Sequence, residues 1–73
     1  MIVGTLNVNG IRSDNKQNHL WNFIHKYNID VLCLQEVNTE FIKEDINYKI
    51  IYNLPKDKIL GTAIIYKGIF KIN

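Results

Sequence analysis

Two apolar runs without alternation, one on each side of an amphipathic segment, constrain this chain more than any other feature. The runs are IVGTL at 2–6 and VLCLQ at 31–35. Such runs are typical of strands that are covered on both faces, as in a parallel sheet. Strand, helix and strand within about 35 residues predict a right-handed βαβ unit whose two strands are parallel neighbours.

The segment between the runs, DNKQNHLWNFIHKYN, predicts one helix. It places five large apolar side chains on one stripe: Leu20, Trp21, Phe23, Ile24 and Tyr27. We expect Asp14 to be the N-cap, with Gln17 completing a capping box. Asn28 suits the left-handed position that ends a helix.

The second half of the chain predicts mostly strands. YKIIY at 48–52 and TAIIYK at 62–67 read as two strands of a hairpin, joined by a loop with the only proline. TEFIKED at 39–45 predicts a helical turn capped by Thr39, and GIFKIN at 68–73 predicts the start of a further strand. The fold class is therefore α+β.

Length and cysteine content limit the number of domains, the possible disulfides and the cellular compartment. A chain of 73 residues makes one small domain, which buries only about 60% of its unfolded surface. The single cysteine, Cys33, has no partner for a disulfide and is expected to be a small buried hydrophobe. A reducing, intracellular compartment is favoured, and no apolar stretch reaches the roughly 20 residues that span a bilayer.

Polar residues follow both strands of the βαβ unit. Asn7 and Asn9 come directly after the first run, and Glu36 follows the second. The carboxyl ends of parallel neighbours converge at one edge, where open α/β sheets bind ligands. A carboxylate with amides and water suits Mg²⁺, with Mn²⁺ as an alternative ion. The simpler interpretation also stands, since Asn-Gly is a common turn and a glutamate after a strand is usually solvated.

Three motifs in order resemble a known family. GTLNVNGIRS, then IDVLCLQEVN about 20 residues later, then GTAIIYK resemble the endonuclease/exonuclease/phosphatase superfamily, whose members share a DNase I-like fold. The NVNGIRS and LQE pair is most similar to the exonuclease III and apurinic endonuclease branch. LNVNG with GTAIIYK is similar to the endonuclease domains of non-LTR, LINE-type retrotransposons.

The resemblance implies roles for particular residues. Glu36 matches the metal-binding glutamate of the family, and Asn7 matches the asparagine beside the metal and the scissile phosphate, so both are expected to be catalytic. Asn9 stands where some repair members have Asp, which removes an anionic metal contact and favours the retrotransposon branch. Gln35 is expected to support Glu36 through hydrogen bonds.

The loop before the helix is expected to contact nucleic acid. By resemblance, Arg12 and Ser13 match a loop that meets the DNA backbone, and Lys16 lies nearby. Without the resemblance, Arg12 is a solvated turn residue, Ser13 an alternative helix cap and Lys16 ordinary surface. The loop lysines Lys56 and Lys58 are interpreted as merely exposed. His19 and His25 are placed on the helix away from this edge, with no acidic partner.

The resemblance also implies what lies outside these motifs. Hydrolysis in the family uses a later Asp-x-Asn pair and a terminal Ser-Asp-His, which this sequence lacks. We therefore expect residues 1–73 to be the N-terminal portion of the domain, a βαβ unit plus a hairpin within a four-layer sandwich, and inactive alone. The expected parent is a Mg²⁺-dependent endonuclease that hydrolyses DNA, of retrotransposon origin, with the nucleus as one compatible compartment.

Two alternatives remain open: a non-enzymatic remnant that binds metal or nucleic acid weakly, and a piece of a superfamily phosphatase. No membrane partner and no small-molecule cofactor are expected. In the full fold a second sheet covers the strands at 2–6, 31–35 and 62–66. We therefore expect the isolated chain to self-associate through that apolar face.

Overall fold

A mixed sheet of four strands and one helix make up the described part of the chain. The computed structural model describes residues 1–41, 43–56 and 60–70. Its elements are β1 (Val3–Asn7), α1 (Asp14–Lys26), β2 (Val31–Val37), β3 (Tyr48–Asn53) and β4 (Gly61–Lys67). The strand order is β1-β2-β4-β3, with β1 and β2 parallel and the other neighbours antiparallel. The predicted α+β class, βαβ unit and hairpin are confirmed. Within these stretches, no helix is both long and apolar enough to cross a membrane.

Helix α1 packs on one face of the sheet through part of its predicted stripe. Leu20, Trp21 and Ile24 are buried against the sheet residues of the core. Phe23 and Tyr27, in contrast, are 40% and 50% exposed, and their rings contact each other at 5.1 Å between centroids. The stripe predicted from spacing is therefore wider than the face that the sheet covers.

The cap of α1 differs from the prediction. Ser13 is the N-cap, and its Oγ accepts a hydrogen bond from the backbone N–H of Lys16 at 3.1 Å. Asp14 is the first helical residue, where its charge favours the positive end of the helix dipole. Asn28 takes the predicted left-handed conformation, with a φ of 50°.

The predicted capping box is wrong because Ser13 is the N-cap, so Lys16 and not Gln17 is the third helical residue; Gln17 is fully buried instead. Its Nε2 donates to the carbonyl of Ile11 at 2.8 Å, and its Oε1 accepts from the N–H of Lys43 at 2.9 Å. Buried amides need such partners, since an unpaired one costs about 1–3 kcal/mol. Gln17 thus ties together two loops that are far apart in sequence.

The described residues of the 39–45 segment contain no helix, so the predicted turn capped by Thr39 is wrong there. Side chains of α1 and β3 form hydrogen bonds with the backbone of this segment. The Nε1 of Trp21 donates to the carbonyl of Lys43 at 3.0 Å, and the N–H of Phe41 donates to the Tyr52 hydroxyl at 2.8 Å. Lys58 and the final part of the predicted last strand, residues 71–73, lie outside the described residues.

The sheet face opposite α1 carries rows of side chains from all four strands. Two rows are largely apolar and one is polar: Val3, Val31, Tyr66 and Lys49; Thr5, Cys33, Ile64 and Ile51; Asn7, Gln35, Thr62 and Asn53. Val3 is 61% exposed and Ile51 is 41% exposed. Cys33 is half-buried on this face, so it is less buried than predicted.

Candidate functional site

The polar residues predicted to converge lie at the carboxyl ends of the two parallel strands. Asn7 is the last residue of β1 and pairs with Gln35 of β2, one residue before Glu36. The backbone ladder continues one step further, since the N–H of Val8 donates to the carbonyl of Gln35 at 3.0 Å. Asn7 and Glu36 therefore belong to the same edge of the sheet.

A β-bulge brings Glu36 to this edge. Gln35 pairs with Thr62 and Val37 pairs with Gly61, so Glu36 is an extra residue in β2. Simple alternation after the buried Leu34 would direct Glu36 into the core. The bulge instead returns Val37 to the core, where it is fully buried, and re-aims the carboxylate.

The backbone of Glu36 is in the left-handed region, with a φ of 56°. A non-glycine residue in this region costs on the order of 1–3 kcal/mol and persists only where its surroundings impose it. Here the carbonyl of Glu36 accepts from the N–H of Gly10 at 2.9 Å. The turn after β1 therefore helps to hold the bulge.

Asn7 uses both ends of its amide. Its Nδ2 donates to Oε2 of Glu36, and its Oδ1 accepts from the backbone N–H of Asn9 at 3.0 Å. The second bond is an Asx turn, which lets an asparagine side chain shape the backbone two residues later. Asn7 thus orients the carboxylate and forms the turn at the same time.

The structure gives Asn9 a backbone role in that turn. Its φ is 49°, and Gly10 follows with a φ of 83°. A Cβ at Gly10 would lie 3.1 Å from the side chain of Asn38, which itself accepts from the N–H of Ile11 at 2.8 Å. Metal binding by the side chain of Asn9 stays a prediction.

Asn38 is a supporting residue that the sequence analysis missed. It lies directly after β2, as Asn9 lies after β1, and it satisfies a backbone donor of the opposite loop. Its position two residues after Glu36 is the only sequence signal for this role.

Lys16 is engaged by the same turn. Its Nζ donates to three backbone carbonyls at 2.9–3.1 Å, those of Val8, Asn9 and Gly10. An ammonium has three donors, so this arrangement uses all of them. Lys16 therefore stabilises the turn, and the predicted contact of Lys16 with nucleic acid stays a prediction.

Gln35 supports the site through the strands rather than through Glu36. Its Nε2 donates to Oγ1 of Thr5 at 2.7 Å and contacts the carbonyl of Cys33 at 3.4 Å. The bond to Thr5 joins β2 to β1 on the open face, just before the bulge.

Arg12 and Ser13 lie between the turn and the first residue of α1. Both are exposed, and Arg12 has no ion pair among the described residues. Their location leaves the Arg12 guanidinium available to an anion near the site, and nucleic-acid contact stays a prediction for both.

The two histidines were expected to lie away from this edge and to have no acidic partner, and the structure differs from this on one point for each. His25 contacts Asp45 at 2.9 Å, so it does have an acidic partner. His19 lines a groove of about 320 Å³ together with Asn7 and Leu6, so it is close to the edge. Neither histidine is among the side-chain partners of Glu36 in the described part of the chain.

The side chains at this edge can bind a hard divalent cation through one carboxylate, with water and phosphate as the other ligands. The described residues contain no cluster of three or more His, Cys, Asp or Glu side chains. Glu36 thus offers one carboxylate beside amide groups, at a half-exposed position that water can reach. Mg²⁺ commonly binds through one or two carboxylates, keeps several waters and takes a phosphate oxygen.

Comparison with protein families gives one match. Residues 4–68 match the model of a family described as the endonuclease/exonuclease/phosphatase family. This range includes β1, α1, β2, β3 and β4 nearly in full, with every candidate site residue. A search of curated proteins finds no match.

Proposed function

This chain belongs to the endonuclease/exonuclease/phosphatase family, and from that premise we propose that it supplies the metal-holding part of a Mg²⁺-dependent DNA endonuclease site. In this proposal Glu36 binds the ion and Asn7 orients the carboxylate and contacts the scissile phosphate. Asn9 is a further candidate ligand. We also propose that the chain is of retrotransposon origin, which the Asn at position 9 favours.

The observation that carries the proposal is the hydrogen bond from Asn7 to the carboxylate of Glu36 at the carboxyl edge of two parallel strands. A lone exposed glutamate would sample many rotamers. Asn7 limits that freedom before any ligand arrives, and preorganised ligands lose less entropy on binding. The strained bulge supports the same conclusion, because strain of this kind clusters at functional sites.

When bound, Mg²⁺ neutralises the charge of a phosphate group and polarises its P–O bonds. The protein's own share is to position that phosphate. Arg12 is an unpaired guanidinium among the described residues and suits bidentate contact with phosphate oxygens. Ser13 adds a hydroxyl whose oxygen already caps α1, so its O–H is free to donate outward.

An endonuclease is favoured over a phosphatase by the arrangement of this loop. Arg12 and Ser13 are exposed, and they follow the turn whose Gly10 N–H donates to the Glu36 carbonyl. An open, positively charged flank suits a polymer backbone that extends past the scissile phosphate. A small phosphoester, by contrast, is normally bound in a concave pocket.

A second candidate function is binding without hydrolysis. Hydrolysis needs a general base within reach of the attacking water. Among the described residues, the side-chain partner of Glu36 is the amide of Asn7, which is not a base. The chain on its own is then a weak metal and nucleic-acid binder, in agreement with the expectation that it is inactive alone.

Mn²⁺ titration calorimetry on the 73-residue chain tests the metal role. Glu36→Gln removes the negative charge while keeping the shape, and Glu40→Gln is a matched control at an exposed position. We expect the first change to weaken Mn²⁺ binding at least tenfold and the second to leave it unchanged. Equal affinities in the two variants would contradict the proposal.

A plasmid-nicking assay with Mg²⁺ then separates the two candidates. Metal binding without nicking supports the binding role of the isolated chain. Nicking that disappears in Glu36→Gln shows instead that the chain is a complete catalyst, contrary to the expectation of inactivity.

A further inference from the structure

The turn that follows β1, residues 8–11, has three backbone carbonyls that converge on a single atom. We call it the 8–11 turn. The carbonyls of Val8, Asn9 and Gly10 all accept hydrogen bonds from Nζ of Lys16, at 3.1, 2.9 and 3.1 Å. Converging carbonyl oxygens repel one another through their partial negative charges unless a cation lies between them. The ammonium of Lys16 therefore stabilises an arrangement that the turn alone would not keep.

The four backbone N–H groups of the 8–11 turn donate to groups at the ends of β1 and β2. In chain order the donors and acceptors are Val8 to the Gln35 carbonyl, Asn9 to Oδ1 of Asn7, Gly10 to the Glu36 carbonyl and Ile11 to Oδ1 of Asn38. The four distances lie between 2.8 and 3.0 Å. Two of these acceptors belong to the residues proposed to hold the metal and the phosphate, namely Asn7 and Glu36.

The conformation of Glu36 depends on the 8–11 turn at two points. Its carbonyl accepts from the N–H of Gly10, and its carboxylate accepts from the amide of Asn7, whose Oδ1 is held by the N–H of Asn9. The φ of Glu36 is 56°, a value that a non-glycine residue keeps only where its surroundings impose it. A displaced turn would therefore release both the backbone and the carboxylate of Glu36.

We propose that Lys16 is a positioning residue for the Glu36 carboxylate and that it acts through the 8–11 turn. In a trans peptide the carbonyl of one residue and the N–H of the next lie in one plane and point in opposite directions. The three carbonyls that Lys16 binds thus share their planes with the N–H groups of Asn9, Gly10 and Ile11. By fixing the carbonyl side, the ammonium fixes the direction of the N–H groups on the other side.

The place of Lys16 in the helix supports this role. Lys16 is in the first turn of α1, where a positive charge is unfavourable because it lies at the positive end of the helix dipole. Its three carbonyl partners compensate for that location. They also use all three donors of the ammonium, so Lys16 acts here without contacting the ion or the phosphate.

Every contact in this chain of interactions lies within residues 7–38. None of them depends on a surface that further parts of a domain would cover. The inference rests on the proposed function in one respect, namely that the Glu36 carboxylate binds the metal ion. The experiments below therefore measure the conformation of Glu36 and the affinity for metal separately.

Titration calorimetry with Mn²⁺ separates positioning from two other roles of a lysine. We expect Lys16→Met to weaken Mn²⁺ binding by the folded chain at least about threefold, because Lys16 acts one step further from the ion than a direct partner of the ligand, whose loss costs about 10–100-fold. A lysine that acted through its charge would repel the ion, so its removal would tighten binding. A lysine that only stabilised the fold would leave the affinity of folded molecules unchanged. Where Mn²⁺ affinity depends on Glu36, tighter or unchanged binding overturns the proposal.

NMR spectra of the metal-free chain measure the conformation of Glu36 directly. The coupling between its amide and Hα protons and its carbon shifts report φ, and the Nδ2 protons of Asn7 report the bond to the carboxylate. We expect both sets of signals to change in Lys16→Met, and unchanged signals overturn the proposal. Changed signals in a chain whose Mn²⁺ affinity is insensitive to Glu36→Gln support positioning by Lys16 and contradict the proposed function instead.

Lys16→Arg keeps the positive charge but not the geometry. No nitrogen of the planar guanidinium carries three N–H groups, so it cannot serve three carbonyls from one point. We expect Lys16→Arg to weaken Mn²⁺ binding in the same direction, which decides the question if Lys16→Met does not fold.

Lys26→Met is the matched control, because it removes the same charge from the last turn of α1. There Nζ lies 5.3 Å from the ring centroid of Tyr27 and not at the 8–11 turn. We expect Lys26→Met to leave both the Mn²⁺ affinity and the Glu36 signals unchanged. An equal effect of Lys26→Met and Lys16→Met overturns the proposal, since the effect is then not specific to the turn.

Discussion

The side-chain amide of Asn7 donates a hydrogen bond to the carboxylate of Glu36, 29 positions away in the sequence. The bond exists because β1 and β2 are parallel neighbours and because a bulge turns Glu36 away from the core. An amide at position 7 thus compensates for a carboxylate that has no cationic partner among the described residues.

Replacing Asn7 by Asp should make the stability of the chain depend on divalent ions. Two carboxylates in contact repel each other, so the free energy of unfolding without metal should fall, by at most about 1 kcal/mol because position 7 is exposed. Mg²⁺ should restore more than this loss, because the variant offers two anionic ligands. Thermal unfolding with and without Mg²⁺ measures both effects.

Asn53→Asp is the control for this change, since Asn53 lies in the same polar row at the other edge of the sheet. Its stability should not respond to Mg²⁺. A similar Mg²⁺ response in both variants would mean that the ion acts on net charge rather than at the Asn7–Glu36 pair.

Much of the fold was predictable because it depends on local patterns. The apolar runs specify strands, although β1 is mostly exposed rather than buried as predicted, and the α1 stripe specifies a helix by its period. The hairpin followed from two β-rich segments around a proline loop. The rule that parallel neighbours end at the same edge predicted that Asn7 and Glu36 lie at one edge, but not the bulge that turns the Glu36 carboxylate away from the core.

The features that were not predicted depend on contacts between distant residues. The bulge at Glu36 is visible only in the register with β4, where one residue has no partner. Ser13 and Asp14 are both good caps, and their order of preference alone does not choose between them. The hydrogen bonds that join Trp21 to the Lys43 carbonyl and the Phe41 N–H to the Tyr52 hydroxyl act across the fold, so propensity did not reveal them.

Lys16→Met should destabilise the chain by about 1–2 kcal/mol, because it removes the ammonium that joins three carbonyls of the turn. The methionine keeps most of the apolar length of the side chain. Urea unfolding measures the effect, and Lys26→Met, at the exposed end of the same helix, should cost less.

The same variant separates the structural role of Lys16 from a role in nucleic-acid binding. A lysine that neutralises a phosphate contributes about one unit to the salt dependence of DNA affinity. If Lys16 only holds the turn, Lys16→Met leaves that slope unchanged. A slope reduced by one, with unchanged stability, would instead assign Lys16 to the DNA contact.

The free energy of unfolding should decrease at acid pH because of Asp30. The backbone N–H of Ile2 donates to its carboxylate, and Lys67 lies 3.1 Å away, so the pKa of Asp30 is below its ordinary value of 3.8. The folded chain therefore binds this proton less readily than the unfolded chain. Its contribution is complete above the ordinary pKa and is lost as the pH falls through the folded-state pKa.

Urea unfolding at a series of pH values measures this contribution. The loss of stability below about pH 4 should be smaller in Asp30→Asn than in the parent chain. The exposed Glu40→Gln serves as control and should follow the parent curve. Identical acid dependence in Asp30→Asn and the parent would exclude Asp30 as a source of the effect.

Glu36→Gly and Glu36→Ala form a pair that tests the bulge itself. Both remove the carboxylate and its bond to Asn7. They differ only in the Cβ, which determines the free-energy cost of the left-handed backbone conformation. In the interior of a regular strand glycine is less stable than alanine by about 0.5–1 kcal/mol. At a φ of 56° the order should reverse, with glycine more stable by about 1 kcal/mol, because alanine must keep the left-handed conformation. Urea unfolding of the two variants gives the sign directly. An alanine variant that is the more stable of the two would mean that residue 36 lies in a regular strand, and the carboxylate would then lose the geometry that brings it to Asn7.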